Sequence, residues 1–223
     1  ATAGAPYRTG FWVKAAGGDG RVERAHVTNG RRKLEVACDL LCTGYGLVPN
    51  LEVARLLGCG TRGESVVAGE RQETSWPGVY AAGEVCGIAG AETAVAEGEI
   101  AGLAAAGAFD EAGAEARRLL RTRERGRRFG AALADAFALR PEVLALAMPE
   151  TIVCRCEDVP FARLGGFRSM REAKLATRAG MGACQGRVCG SALSRLLGLA
   201  PDSVRPPLVP VPMEALASEE EPT

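Results

Sequence analysis

Four of the eight cysteines fall in two close pairs, Cys154-Arg155-Cys156 and Cys184-Gln185-Gly186-Arg187-Val188-Cys189, separated by residues 157–183. Thiolates brought together by a short helical hairpin suit a soft metal centre, either iron–sulfur or zinc. Structural zinc more often uses C-x2-C or wider knuckles. A C-x-C pair sets two sulfurs close along one extended strand, which fits two ligands converging on one iron of a small cluster. Zinc, and cysteines left unligated or disulfide-bonded, remain the alternatives. Arg155 and Arg187 flank the ligands and favour an added electron. Gly186 permits close backbone approach at the start of an expected helix to Leu197, whose N-terminal amides face negative charge.

Other chemistries are narrowed by composition. A single histidine, His26, leaves no material for a multi-histidine metal site and little for a Ser-His-Asp triad. The 27 basic and 27 acidic side chains cancel, so binding to nucleic acid through bulk charge is not expected. No stretch has the length and apolarity of a membrane helix, and no charged-then-apolar leader opens the chain. The expectation is a soluble, cytoplasmic protein whose cysteines are thiols or metal ligands rather than a disulfide framework. Neither GxGxxG nor GxxxxGK[ST] occurs. Cysteine is a small apolar residue that buries readily, so at least three of Cys38, Cys42, Cys59 and Cys86 are expected in the core.

The elements that must position these residues read as α/β, followed by a small, mainly α segment. Phe11 to Ala16, Arg21 to Thr28 and Arg32 to Thr43 are apolar runs separated by Gly18-Asp19-Gly20 and Asn29-Gly30, the pattern of an antiparallel meander. A short helix is expected over Leu51 to Leu57. A strand over Gly78 to Ala82 leads through Gly83-Glu84, Gly87 and Gly90 into a small-residue helix, Ala91 to Ala106. Strand, glycine turn, helix is the layout of a cofactor-binding edge. Asp110 can cap a further helix in which seven arginines and one glutamate lie between Arg117 and Arg128; it reads as a solvated or partner-facing face. Ser169 and Glu172 have capping-box spacing for a helix ended by Gly180 and Gly182. Pro201 to Pro212 reads as an extended strap, followed by an acidic tail at Glu219 to Glu221.

The segment Val153-Cys154-Arg155-Cys156-Glu157-Asp158-Val159, with Lys174 to Gly182 leading into Cys184 to Cys189, resembles the 2Fe–2S domain of the bacterioferritin-associated ferredoxin type. More narrowly, it resembles the version fused to flavoprotein subunits of the hydrogen cyanide synthase B, opine oxidase A and proline or hydroxyproline dehydrogenase alpha kind. The resemblance implies that Cys154, Cys156, Cys184 and Cys189 ligate the cluster. One departure stands out: the stretch between the pairs is shorter around Phe161 to Phe167, where the family has its first short helix. The C-x4-C spacing separates this sequence from the nitrite-reductase and free-ferredoxin versions, which usually carry C-x2-C.

Thr74-Ser75-Trp76-Pro77-Gly78-Val79-Tyr80-Ala81-Ala82-Gly83-Glu84-Val85 resembles the second FAD fingerprint of pyridine-nucleotide–disulfide-reductase-like flavoproteins. That resemblance implies Gly83 and Glu84 at the ribityl chain, with glutamate in place of the usual aspartate. It implies Gly87, Ile88, Gly90 and Ala91 facing the flavin ring, beside Cys86. Leu41 to Asn50 looks like the return segment from the nicotinamide-nucleotide domain.

The domains expected are residues 1–107 (the C-terminal part of an FAD/NAD(P)-binding oxidoreductase domain), 108–150 (an arginine-rich helical linker), 151–200 (the 2Fe–2S domain) and 201–223 (strap and tail). The resemblance implies an FAD-dependent oxidoreductase subunit that passes electrons through FAD and 2Fe–2S within a multi-subunit amine or amino-acid dehydrogenase. Its substrate would be of the opine, proline, hydroxyproline or glycine type. Expected partners are the upstream half of the same protein and a flavin-containing, substrate-oxidising subunit, through which it would sit peripheral to the inner membrane. This piece alone is expected to hold FAD poorly and to be inactive. Two alternatives are an NAD(P)H-dependent reductase passing electrons to a ferredoxin or inorganic acceptor, and a zinc-stabilised, non-catalytic interaction module.

Overall fold

The computed structural model describes Gly4, residues 6–200 and residues 204–217. The chain divides into two compact units, Ala1–Gly46 with Leu139–Pro201, and Leu47–Ala138 with Asp202–Thr223.

The first unit opens on the meander: β1 (Trp12–Gly17), β2 (Arg24–Thr28) and β3 (Lys33–Ala37) in antiparallel order β1-β2-β3. The Asn29-Gly30 turn forms as expected, with Asn29 Oδ1 accepting from the amides of Arg31 and Arg32 and Gly30 at φ 88°. β3 stops at Ala37 instead of running to Thr43. Its partner β2 begins at Arg24, opposite Ala37, and one residue further the Cys38 amide turns to the Glu23 carbonyl. A ladder without a partner strand ends. A one-turn helix, α4 (Pro141–Leu144), starts on proline, and the Arg140 guanidinium lies 5.2 Å from the Trp12 ring centre.

The cysteine segment of this unit is a small module with its own core. β6 (Ile152–Cys154) and β7 (Val159–Pro160) form a hairpin, followed by a 3-10 turn at Phe161–Arg163, where the short first helix was expected. α5 (Met170–Thr177) and α6 (Gly190–Leu197) complete it. Val159, Leu164, Met170, Ala179 and Leu193 pack with Cys154 and Cys189 into one apolar cluster. Ser169 Oγ accepts from the Glu172 amide as its spacing predicts, while the Glu172 carboxylate returns to the Arg168 amide. α5 ends earlier than expected: Arg178, at φ 66°, takes the left-handed C-cap position in place of Gly180. α6 starts at Gly190 rather than Gly186, because residues 184–189 form turns.

The second unit contains α1 (Glu52–Leu56), the β4–β5 hairpin (Thr61–Arg62, Ser65–Val66), α2 (Ala91–Ala105), α3 (Ala114–Ala136) and α7 (Met213–Ala217). Leu51, Cys59 and Val66 form one cluster, and Ala96, Ile100 and Leu119 another between α2 and α3. The expected strand over Gly78 to Ala82 is reduced to a single bridge, Glu73 to Tyr80, because the next residues turn at once into a 3-10 segment, Gly83–Cys86. Asp110 accepts from the Ala112 amide rather than capping α3, whose N-cap is Gly113. Residues 204–212 carry no regular structure, α7 follows where only strap was expected, and Glu219 to Glu221 lie outside the described residues. Among the described residues no helix is long and apolar enough to cross a membrane.

Candidate functional site

The four paired cysteines come together on one cavity of about 190 Å³, lined by Cys154, Arg155, Cys156, Cys184, Val188 and Cys189. β6 delivers Cys154 at its end, and the turn that follows carries Cys156. The 184–189 turns supply the other two. Cys156 and Cys184 sulfurs are 3.5 Å apart. Burial is uneven: Cys154 and Cys189 sit in the core at 1% and 3% exposure, whereas Cys156 is exposed and Cys184 half-buried.

Backbone polarity is aimed at the sulfurs. The Gly180 amide donates to Cys154 Sγ at 3.4 Å. Chiefly the Val188 amide, and further the Cys156 side chain and the amides of Gly186 and Arg187, hold the Cys184 thiol below its ordinary range. This turn does what the expected helix start at Gly186 was to do. Burial pushes Cys189 the other way, up to about 12, with Cys154 adding to the shift. A Cβ at Gly182 would collide with that of Cys156, so the bare glycine is what admits Cys156 to the wall. Glu157 pairs with Arg178 at 2.7 Å beside it.

Among the described residues no three His, Cys, Asp or Glu side chains stand at the spacing that would hold a metal ion. The thiols share a cavity without being drawn to a single point. Their chemistry fits a thiolate-ligated group nonetheless: four soft donors, amides directed at sulfur, and a glycine cradle.

The residues expected at the flavin lie on one strip of the second unit. Gly83, Gly87 and Gly90 have φ of 82°, 129° and 86°, conformations that only glycine takes without strain. Glu84, Ile88, Gly90 and Ala91 are exposed, and the strip ends on the first turn of the fifteen-residue α2.

What lies behind this strip is not legible from motifs. Glu97, 2% exposed in α2, accepts from the Gly83 amide at 2.8 Å and from Arg127 Nε at 2.7 Å. Gln72, fully buried, accepts from Arg127 at 3.1 Å and from Arg123 at 3.3 Å, and donates to the Ala81 carbonyl at 2.8 Å. Arg123 also donates to the Glu70 carbonyl, while its buried Nε has no partner among the described residues. α3 is therefore not a wholly solvated face: two of its seven arginines turn inward because two buried acceptors, Gln72 and Glu97, need them. A sequence signal existed for Glu97, which shares one helical stripe with Thr93, Ala96 and Ile100, all buried.

Of the remaining cysteines only Cys59 is buried; Cys42 is exposed, and Cys38 and Cys86 are half-buried. The expectation of three or more in the core is corrected, since the segment carrying Cys38 and Cys42 leaves the sheet. Burial, then nearby Glu97, pushes the Cys86 thiol up to about 11, so it is a poor nucleophile.

Residues 2–98 match the profile of the pyridine nucleotide-disulphide oxidoreductase family. The chain is similar to the opine oxidase A-subunit of Rhizobium meliloti, 30% identical over 90% of this chain and 43% of that protein. It is similar to the hydrogen cyanide synthase protein HcnB, also a subunit, of Pseudomonas aeruginosa, 32% identical over 83% of this chain and 45% of that one. Against the opine oxidase A-subunit of Agrobacterium tumefaciens the identity is 32%, over 78% and 37% of the two chains. The chain thus spans less than half the length of the curated relatives it matches. No solved structure matches it. The profile match and these oxidase and synthase subunits together support a pyridine nucleotide-disulphide oxidoreductase-like flavoprotein.

Proposed function

We propose that this chain is the C-terminal part of an electron-transfer subunit holding FAD and a 2Fe–2S cluster. It would work beside a flavin-containing partner subunit that oxidises an amine or amino acid of the opine, proline, hydroxyproline or glycine type. The observation that carries the reading is the single cavity shared by Cys154, Cys156, Cys184 and Cys189, in a chain similar to opine oxidase and hydrogen cyanide synthase subunits. When bound, FAD supplies two-electron chemistry and a 2Fe–2S cluster passes electrons singly.

The chain's own residues hold and orient. The four thiolates would ligate the cluster, the Gly180 amide supporting the Cys154 sulfur and the Val188 turn the Cys184 sulfur. Gly83 and Glu84 would meet the ribityl chain, and the first turn of α2 would face the ring, its dipole favouring negative charge there. No side chain here needs to be an acid–base catalyst. The domains follow as residues 1–107 for the flavoprotein part, 108–150 for the helical connection, 151–200 for the cluster and 201–223 for the strap.

The test is anaerobic purification of the full chain, with iron, zinc and acid-labile sulfide assayed beside the EPR spectrum of the dithionite-reduced protein. About two irons and two sulfides per chain, lost in Cys184→Ser, are expected for a 2Fe–2S protein. One zinc without sulfide overturns the reading in favour of an interaction module. Reduction of the protein joined to its upstream half by NAD(P)H but not by an amine would favour a nicotinamide-dependent reductase.

A further inference from the structure

The geometry points to the Cys156–Cys184 edge as the face where an acidic, one-electron carrier protein docks, with Arg155 and Val188 as its contacts. This rests on the proposed cluster. Cys154 and Cys189 close one side of the cavity inside the apolar core, while Cys156 is exposed and Cys184 half-buried on the other. Electron transfer falls steeply with distance, so a carrier is served by the side where least protein intervenes. At that lip stands Val188, 71% exposed although apolar, the kind of side chain that gains by being covered. Arg155, exposed between the two ligands of its pair, lines the same cavity.

Charge decides the kind of partner. The whole chain is neutral, yet residues 151–200 carry eight basic side chains against three acidic ones. Two of those acids, Glu157 and Glu172, are already paired with Arg178 and Arg168. A cationic module with an apolar spot at its opening attracts an acidic surface and orients it. In the encounter one electron passes from the reduced centre to the carrier's oxidised centre; no bond forms or breaks and no proton moves.

The full chain, reduced with dithionite and desalted anaerobically, is mixed in stopped flow with ferricyanide or with hexaamminecobalt(III), and the visible absorption is followed. Arg155→Glu and Val188→Glu are compared with Arg171→Glu, which makes the same change in net charge as the first at a residue that does not line the cavity. At low salt the two lip variants are expected to slow ferricyanide roughly tenfold and to speed the cobalt complex, the difference fading above about 0.5 M salt. Arg171→Glu should stay within about twofold. Iron content and the EPR signal are recorded for each protein; where Arg155→Glu loses its cluster, Arg155→Gln replaces it with smaller shifts of the same sign, and where Val188→Glu does, Val188→Lys replaces it with shifts of the opposite sign. Equal responses of Arg171→Glu and Arg155→Glu, or none in either probe, overturn the docking face. A wild-type chain without iron and sulfide overturns the cluster itself, and the face with it.

Discussion

The Gly83 amide donates to the Glu97 carboxylate at 2.8 Å, fourteen residues on in α2. The other oxygen of that carboxylate accepts from Arg127 of α3 at 2.7 Å. The turn that precedes Glu84 is thus fixed from behind by a charge that is itself held by a second helix. Replacing Glu97 by Ala leaves the Gly83 amide and the Arg127 guanidinium without this acceptor; because Arg127 is 34% exposed and keeps Gln72, the cost is about 3 kcal/mol, the low end for a broken buried pair. Glu97→Gln retains an acceptor for Gly83 and should cost about 1–3 kcal/mol. Urea denaturation checks both, and Glu97→Gln combined with Arg127→Gln should cost less than the sum of the two.

Gly130 on α3 is where that helix touches the glycine strip. A Cβ there would stand 2.5 Å from the Ile88 carbonyl oxygen and 3.0 Å from Ala89 Cα. Both are backbone atoms, which cannot rotate away, so Gly130→Ala must push α3 off the strip. The expected loss is about 1–3 kcal/mol, the usual range for overpacking, and amide hydrogen exchange should quicken at residues 86–91. Exchange unchanged there, with stability intact, would show that α3 does not brace the strip.

The two halves of this architecture differ in how far the residues reveal them. The cysteine module was readable because the sulfur spacing and the Ser169 cap are local signals, each acting within a few residues. The meander was readable up to Ala37, where the limit was set by the length of β2, a partner that the residues after Ala37 do not announce. The arginines of α3 look alike in sequence. What separates Arg123 and Arg127 from Arg121 and Arg125 is contact with Gln72 and Glu97, 30 to 55 positions earlier in the chain. Such pairing across elements leaves no periodic trace beyond a glutamate on an otherwise buried stripe.

Cys86 sits between the glycine strip and this buried network, and its thiol is pushed up from 9.0 to about 11 by burial, then by Glu97. At pH 8 its thiolate fraction is therefore about a hundredfold below that of an ordinary cysteine, one factor of ten per pKa unit. Iodoacetamide should label exposed Cys42 well before Cys86, as read by peptide mass spectrometry. The sign for stability follows from the same shift. The raised thiol stabilises the fold fully below pH 9 and loses that contribution as pH rises towards 11, because the unfolded chain ionises first. Cys86→Ala should flatten the alkaline limb of a stability-versus-pH curve, whatever its effect at pH 7.

Gly182 gives the sharpest test of the cysteine cavity, because it acts through shape alone. It is buried, and a Cβ built on it would overlap that of Cys156 and stand 3.3 Å from a Glu157 carboxylate oxygen. Gly182→Ala adds one methyl and removes no ligand, so a role for the glycine as a mere link predicts unchanged iron content. If it is the cradle that admits Cys156 to the wall, Cys156 must be displaced from Cys184, now 3.5 Å away, and one side of the ligand set opens. Iron and sulfide per chain should then fall severalfold while Cys154 and Cys189, anchored in the apolar cluster, keep the module folded. Retained circular dichroism with lost EPR signal is the expected pair of results, and full iron content in Gly182→Ala would show that the wall yields.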